Sequence, residues 1–316
     1  VYLYGTEPRA DTTAFAAYQA WMRGMLENRS ASPEAAIGDT LQVVLAQHHF
    51  RSRPWSEALI GEMDLMTSYR IYQQRFGDFG DFIFIFVGNF ALAEIEPLVC
   101  RYLGSLPSAG REESWRDVGI EPPQGLVERY VYKGLEAKSQ TRMVFTGDFE
   151  WNYTNFFTIH AAADILQLRL REVLREDLGG TYSVAVNAGT THFPRQTYSM
   201  SVSFSCDPDR AEELAEVVLA EIDTLQARGP EALSLQKVQE MRRRRHELRL
   251  RENGYWLGLL DMAHFNQIDP RLALEYRNYV DALNATAVQR ALQRYCKREN
   301  YVRVVLLPEN YLDKKQ

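Results

Sequence analysis

The chain has 316 residues, 46% of them hydrophobic and 25% charged, with a formal net charge of −6. This length is a prior for two domains, the composition buries a core and excludes a disordered chain, and the negative balance argues against a general nucleic-acid binder. Cys100, Cys206 and Cys296 are far apart, odd in number and form no C-x-x-C pair, so neither a disulfide framework nor a thiolate zinc site is supported.

No apolar run reaches the ~18 residues that span a membrane. The opening "VYLYGTEPRADTTAF" has no basic region ahead of an apolar stretch, so no signal peptide is visible. Residues 1–8 read as the end of a strand entered midway, which suggests a fragment or a processed chain. Phe15, Tyr18, Met22 and Met25 then recur at helical spacing, which predicts a helix over 11–28 with Asp11 as its cap. Further helices are expected at 33–47 and 56–76. "DFIFIFVGNF" is a continuous apolar run and is expected to be a buried strand. A helix over 92–103 closes at Gly104. The polar, aperiodic "PSAGREESWRDVGIEPPQG" is the linker.

Strands are expected at 127–132 and 140–145. A helix from Thr154 or Asn155 to about Asp177 follows, with Phe156, Ile159, Ala163, Leu166, Leu170 and Leu174 on one side. Of the next two strands, the second alternates Tyr198, Met200, Val202, Phe204 and Cys206 with four serines, one face in the core and one polar. Asp207 and Pro208 open a helix, a mostly helical stretch runs to about Lys297, and "YVRVVLLP" is a last strand.

An internal repeat is visible. "QRFGDFGDFIFIFVGN" and "QRYCKRENYVRVVLLP" share a helix end, a six-residue step between aromatics and then a strand. "YGTEPRADTTAF" pairs likewise with "SFSCDPDRAEEL". A repeat at such an offset implies a duplicated unit whose first copy would begin roughly 75–95 residues before Val1.

Three constellations could carry chemistry. None of the six histidines gives H-E-x-x-H or H-x-x-E-H, and His160 with Asp164, four apart on a helix, lacks a third ligand. The run "RRRRHELRLR" spreads its arginines round a helix and makes no single basic face. Arg245 falls beside Val238, Met241 and Leu248, where it needs a carboxylate. The third is "LREDLGGTYSV", where a helix turns directly into a strand. Arg175 there can simply complement the helix dipole, and Tyr182 can be a plain strand residue. Gly179 and Gly180 also permit close approach by another backbone, which would let Arg175 and Tyr182 converge on a peptide carbonyl or a developing oxyanion.

That stretch resembles the Arg…Tyr motif in the C-terminal half of the insulinase/pitrilysin family of inverted-motif zinc metallopeptidases, with the same seven-residue spacing. "RFGDFGDFIFIFVGNFALAEIEPLVCRYLGSLPS" is similar to the segment ending the third domain of long bacterial members, and the resemblance covers essentially the whole chain. It implies an α+β fold of two related domains, each a mixed or antiparallel sheet with helices on one face. Residues 1–108 would be the end of the third family domain, truncated at its front, 109–124 the linker, and 125–316 a complete fourth domain. The second domain should fold alone, and the first should not.

By the same resemblance, zinc belongs to an H-x-x-E-H site in the N-terminal half, and this chain holds none. Tyr182 would contact the scissile carbonyl, Arg175 would hold substrate backbone, and Gly179 and Gly180 would line the substrate. The partners implied are a peptide or protein substrate and the N-terminal half of the same protein, with no nucleic acid and no membrane span; a bacterial member would be periplasmic. The full protein is then a zinc metalloendopeptidase and this chain alone is inactive. The alternative is a non-catalytic peptide-binding or scaffold subunit that pairs with a zinc-bearing partner.

Overall fold

Six of the twelve described α-helices begin where a short polar side chain takes an N–H left without a partner in the first turn. The protein is described here by a computed structural model covering residues 1–177, 179 and 181–312, with backbone alone at 175–177 and 182. α1 spans Tyr2–Thr6. Asp11 Oδ1 accepts from the Ala14 N–H at 2.9 Å to start α2 (Thr12–Ala31), and Ser32 caps α3 (Pro33–Leu45). Ser56 caps α4 (Glu57–Gly61), Asp64 caps α5 (Leu65–Phe76), and α6 spans Leu92–Tyr102. Strands β1 (Leu126–Tyr132) and β2 (Ser139–Asp148) lead to α7 (Tyr153–Arg171), capped by Asn152. β3 (Thr181–Thr191) and β4 (Thr197–Cys206) follow. Then come α8 (Ala211–Arg228), α9 (Ala232–Arg249), α10 (Asn253–Phe265), α11 (Tyr276–Ala282), α12 (Ala285–Tyr295) and β5 (Tyr301–Leu307).

These elements form two compact units that are not contiguous in sequence. One comprises 1–29, 55–116 and 250–270; the other comprises 30–54, 117–249 and 271–316.

The second unit is built on a five-stranded mixed sheet of order β1-β5-β2-β4-β3, in which β1 runs parallel to β5 and every other pairing is antiparallel. The alternation read in the sequence of β4 is observed, with Tyr198, Met200, Val202 and Phe204 buried. Ile159, Leu166 and Leu170 of α7, Leu214 and Val218 of α8, and Val288 and Leu292 of α12 cover that face in one core. Helices were expected on one face only, but α3 packs on the other. Ile37 and Val44 meet Val302, Val304 and Leu306 of β5, with Val127 and Val131 of β1 partly buried beside them. β5 is therefore sandwiched, which is why all seven of its residues are buried. Apart from Arg303, whose guanidinium pairs with Glu128 and Glu212, this interior strand reads as an apolar run because both of its faces are covered.

The first unit departs further from expectation. Residues 1–8 form no strand: Tyr2–Thr6 is a short helix, held where the Tyr72 hydroxyl donates to the Tyr4 carbonyl at 2.7 Å. Gly5 is buried there, and a Cβ on it would sit 2.3 Å from the Phe79 ring. The helix expected over 56–76 breaks between Gly61 and Leu65, where Asp64 starts a new one. "DFIFIFVGNF" forms no β-ladder, and Ile83, Phe84, Phe86 and Phe90 are exposed. A buried strand needs neighbours to take its backbone groups, and no described residue supplies them. Its aromatics gather locally instead, Phe82 against Phe76 and Phe79. Ile83, Phe84 and Phe86 also line a cavity of about 730 Å³ with Leu260, His264 and Ile268 of the same unit.

Candidate functional site

α7 does not stop as an ordinary helix. Beyond Arg171 it widens into a π-helical turn, Glu172–Asp177, anchored by buried Val173 and Leu174. Such turns are uncommon and recur at functional sites. Gly179 follows with φ +54°, in the left-handed region that favours glycine. It is exposed, and a Cβ placed on it would meet nothing within 4 Å. Glycine is required here by backbone angle and not by crowding.

β3 begins two residues later. Its register against β4 slips between Thr181 and Ser183: Thr181 faces Cys206 and Ser183 faces Ser205, so Tyr182 is the extra residue of a β-bulge. The Thr181 hydroxyl donates to the Ser183 carbonyl at 2.8 Å across it. Of the residues singled out in the sequence, Arg175 lies by its backbone in the π turn, Gly179 at the reversal and Tyr182 at the bulge. The side chains of Arg175 and Tyr182, and all of Gly180, fall outside the described residues.

Sequence reasoning missed Gln167. It sits mid-helix in α7, and its carboxamide reaches the rim of the sheet. Nε2 donates to the Val184 carbonyl at 3.1 Å, and Oε1 accepts from the Val186 N–H at 2.7 Å. The only signal was a polar residue between Leu166 and Leu168.

His160 and Asp164 have other roles than metal binding. The His160 Nδ1 lies 2.7 Å from the Phe156 carbonyl, and burial foremost holds its imidazole below the usual range, with the nearby Arg242 adding to the effect. Asp164 lies 2.6 Å from Arg242, whose guanidinium also covers the Phe157 ring at 4.9 Å. The arginine expected to need a carboxylate was Arg245. It is Arg242 that is buried, while Arg245 is half exposed and 3.9 Å from the same Asp164. The face of α9 turned inward carries Val238, Arg242 and His246, a set at spacing four, which leaves Met241 and Leu248 exposed. Among the described residues no three His, Cys, Asp or Glu side chains could hold a metal ion, so these residues do not fit a zinc site. No described helix is long and apolar enough to cross a membrane.

Known proteins share this chain's sequence and fold. The chain is 24% identical over 308 residues to a zinc protease PQQL-like protein of Arabidopsis thaliana, covering 89% of the chain and 32% of the relative. It is 29% identical over 171 residues to a probable zinc protease PqqL of Haemophilus influenzae, covering 52% of the chain and 18% of the relative. Its fold is similar to that of the periplasmic protease PqqL from Escherichia coli, with a TM-score of 0.80 at 20% identity, over 94% of this chain and 33% of that one. The chain thus spans at most about a third of the length of these relatives. A family profile described as the peptidase M16 inactive domain matches residues 69–242, more than half of the sequence, and the chain belongs to the insulinase-like peptidase M16 family.

Proposed function

We propose that this chain is the C-terminal, substrate-contacting part of a zinc metalloendopeptidase, with family domains at 1–108 and 125–316 about a linker at 109–124. The observation that carries the proposal is the junction of α7 and β3. A π turn, a left-handed glycine and a bulge fall in succession on the stretch that holds Arg175 and Tyr182, in a chain of this family. Regular structure needs none of these three features, whereas a site that must aim side chains uses each of them.

In this reading the Tyr182 hydroxyl donates to the scissile carbonyl oxygen as negative charge develops on it. The Arg175 guanidinium holds substrate backbone carbonyls with its planar fork of donors. Gly179 and Gly180 carry no side chain to bar a substrate backbone from approaching. The naming of the relatives as zinc proteases supports zinc in the full-length protein; in this reading it sits in the N-terminal half, and no step here runs through it. Because single relatives are about three times as long as this chain, we place both halves in one polypeptide and not in two subunits. The periplasm is our compartment for a bacterial member, after the Escherichia coli neighbour.

The test is metal analysis and a fluorogenic peptide assay on this chain alone and on the complete gene product. The complete protein should hold zinc and cleave with chelator sensitivity; the chain alone should do neither. One tightly held zinc per isolated chain, with chelator-sensitive cleavage, would overturn the assignment.

A further inference from the structure

β3 is an edge strand: it pairs with β4 on one side, and its other side carries no strand among the described residues. The two Gln167 contacts identify which backbone groups point outward. The Val184 carbonyl and the Val186 N–H go to Gln167, so the even-numbered residues face away from β4 and the odd-numbered ones bond to it. In donating to one residue and accepting from the second along, the carboxamide does what a peptide group of a neighbouring strand would do. It fills the inner end of the edge. Beyond it, the Val186 carbonyl and both polar groups of Ala188 and Thr190 face outward with no partner among the described residues.

The rest of this edge is unguarded. Natural edge strands are protected by lysines, prolines or inward charges. β1, at the opposite rim of the sheet, carries Glu128 and Arg129. From Val186 to Thr190 the sequence is VNAGT, with no charge and no proline, and the side chains on its open face, Asn187 and Gly189, are small. The stretch lies directly downstream of the bulge at Tyr182.

We propose that the outward edge of β3 from Val186 to Thr190 takes an extended peptide as an added strand, with Gln167 marking where that strand must stop. Main-chain hydrogen bonds supply the binding, as in other strand additions, so the ligand class is an unfolded or extended polypeptide of varied sequence. The free edge is about 13 Å long at ~3.3 Å per residue, room for roughly four peptide residues. The proposal rests on reading this end of the sheet as a peptide site, and adds to it the surface that aligns the substrate.

The probe is a fluorescein-labelled dodecapeptide of alternating Thr and Val with a lysine at each end, titrated into the full 316-residue chain. At saturation the Ala188 and Thr190 amides should exchange at least tenfold more slowly, while those of Ala185 and Asn187, already bonded to β4, should not change. Ala188→Pro removes one outward N–H and leaves the β4 ladder intact, a position where an edge strand tolerates proline. It should weaken peptide binding at least tenfold with an unchanged circular dichroism spectrum, and Thr190→Pro should do the same. No binding at millimolar peptide, binding without slowed exchange at 188 and 190, or sedimentation showing that these amides slow through pairing of two copies would each overturn the proposal. The exchange measurement uses the unaltered chain and so stands if a proline variant does not fold. In the complete enzyme the two readings separate: unchanged cleavage in Tyr182→Phe counts against the catalytic assignment, and unchanged peptide affinity in Ala188→Pro counts against the edge.

Discussion

Gly179 is a glycine for the sake of one torsion angle. At φ +54° an alanine costs about 1–2 kcal/mol, whereas asparagine, which visits the left-handed region with local hydrogen bonding, costs less. Urea denaturation should therefore rank Gly179→Ala below Gly179→Asn, and a ranking set by side-chain bulk would contradict this. Tyr182→Phe in the complete enzyme removes only the O–H, and turnover should fall about 10²–10³-fold, the usual cost of one oxyanion donor. Arg175→Lys should raise KM, since an ammonium cannot copy the guanidinium fork. If both residues were only structural, Tyr182→Phe would keep full turnover and Arg175→Lys would keep its KM. His160 adds a pH signature. Its folded imidazole resists protonation, chiefly through burial, so the unfolded chain binds the proton first. Stability should be intact above about pH 6.5 and fall as the pH drops below it towards the depressed folded value. His160→Gln should flatten that slope in denaturant midpoints between pH 7 and 5. At this scale the sequence showed where Arg175, Gly179 and Tyr182 stood, because an abrupt helix-to-strand change with two glycines is a local pattern. It did not show Gln167, whose partners Val184 and Val186 are brought within reach only when α7 packs on β3.

Elements reveal what periodicity can and cannot carry. β4 and β5 were legible because their burial pattern is written in consecutive residues. The apolar run at 82–90 reads as a buried strand just as β5 does, yet a ladder depends on neighbours that no local pattern encodes. α3 is the opposite case: its helical spacing was plain, but nothing in it named β5 as its partner. Ile37→Ala should cost the second unit about 2–4 kcal/mol, the range for a buried isoleucine cut to alanine. Thermal unfolding followed through a probe in the sheet would test that. On α9 the choice between Arg242 and Arg245 turned on a rotation of the helix by less than a full turn. Arg242→Ala leaves Asp164 mostly buried without its nearest cation and should cost about 3 kcal/mol or more, whereas Arg242→Met with Asp164→Leu should recover much of the loss. A double variant no more stable than the single would show that the pair itself is worth keeping.

At the scale of the whole molecule, composition and charge were enough to place the chain among two-unit globular proteins, but the order of its parts was not. A piece running 125–316, which the sequence suggests should fold by itself, lacks α3 and would bare Val302, Val304 and Leu306 on one face of its sheet. Such a fragment should bind a hydrophobic dye, and a synthetic peptide covering 30–54 should displace it; a dye-free, fully cooperative fragment would show that α3 is dispensable.

The same interleaving has a topological consequence. The polypeptide passes from one unit to the other at 29–30, 54–55, 116–117, 249–250 and 270–271. Two beads on a string are parted by cutting the string once, but these are stitched. A protease that nicks the chain anywhere in 109–124 leaves covalent tethers at both earlier and later crossings, so the nicked protein should run as two bands in denaturing gels and as one species on native size exclusion. Neither half can be shed by a single processing event.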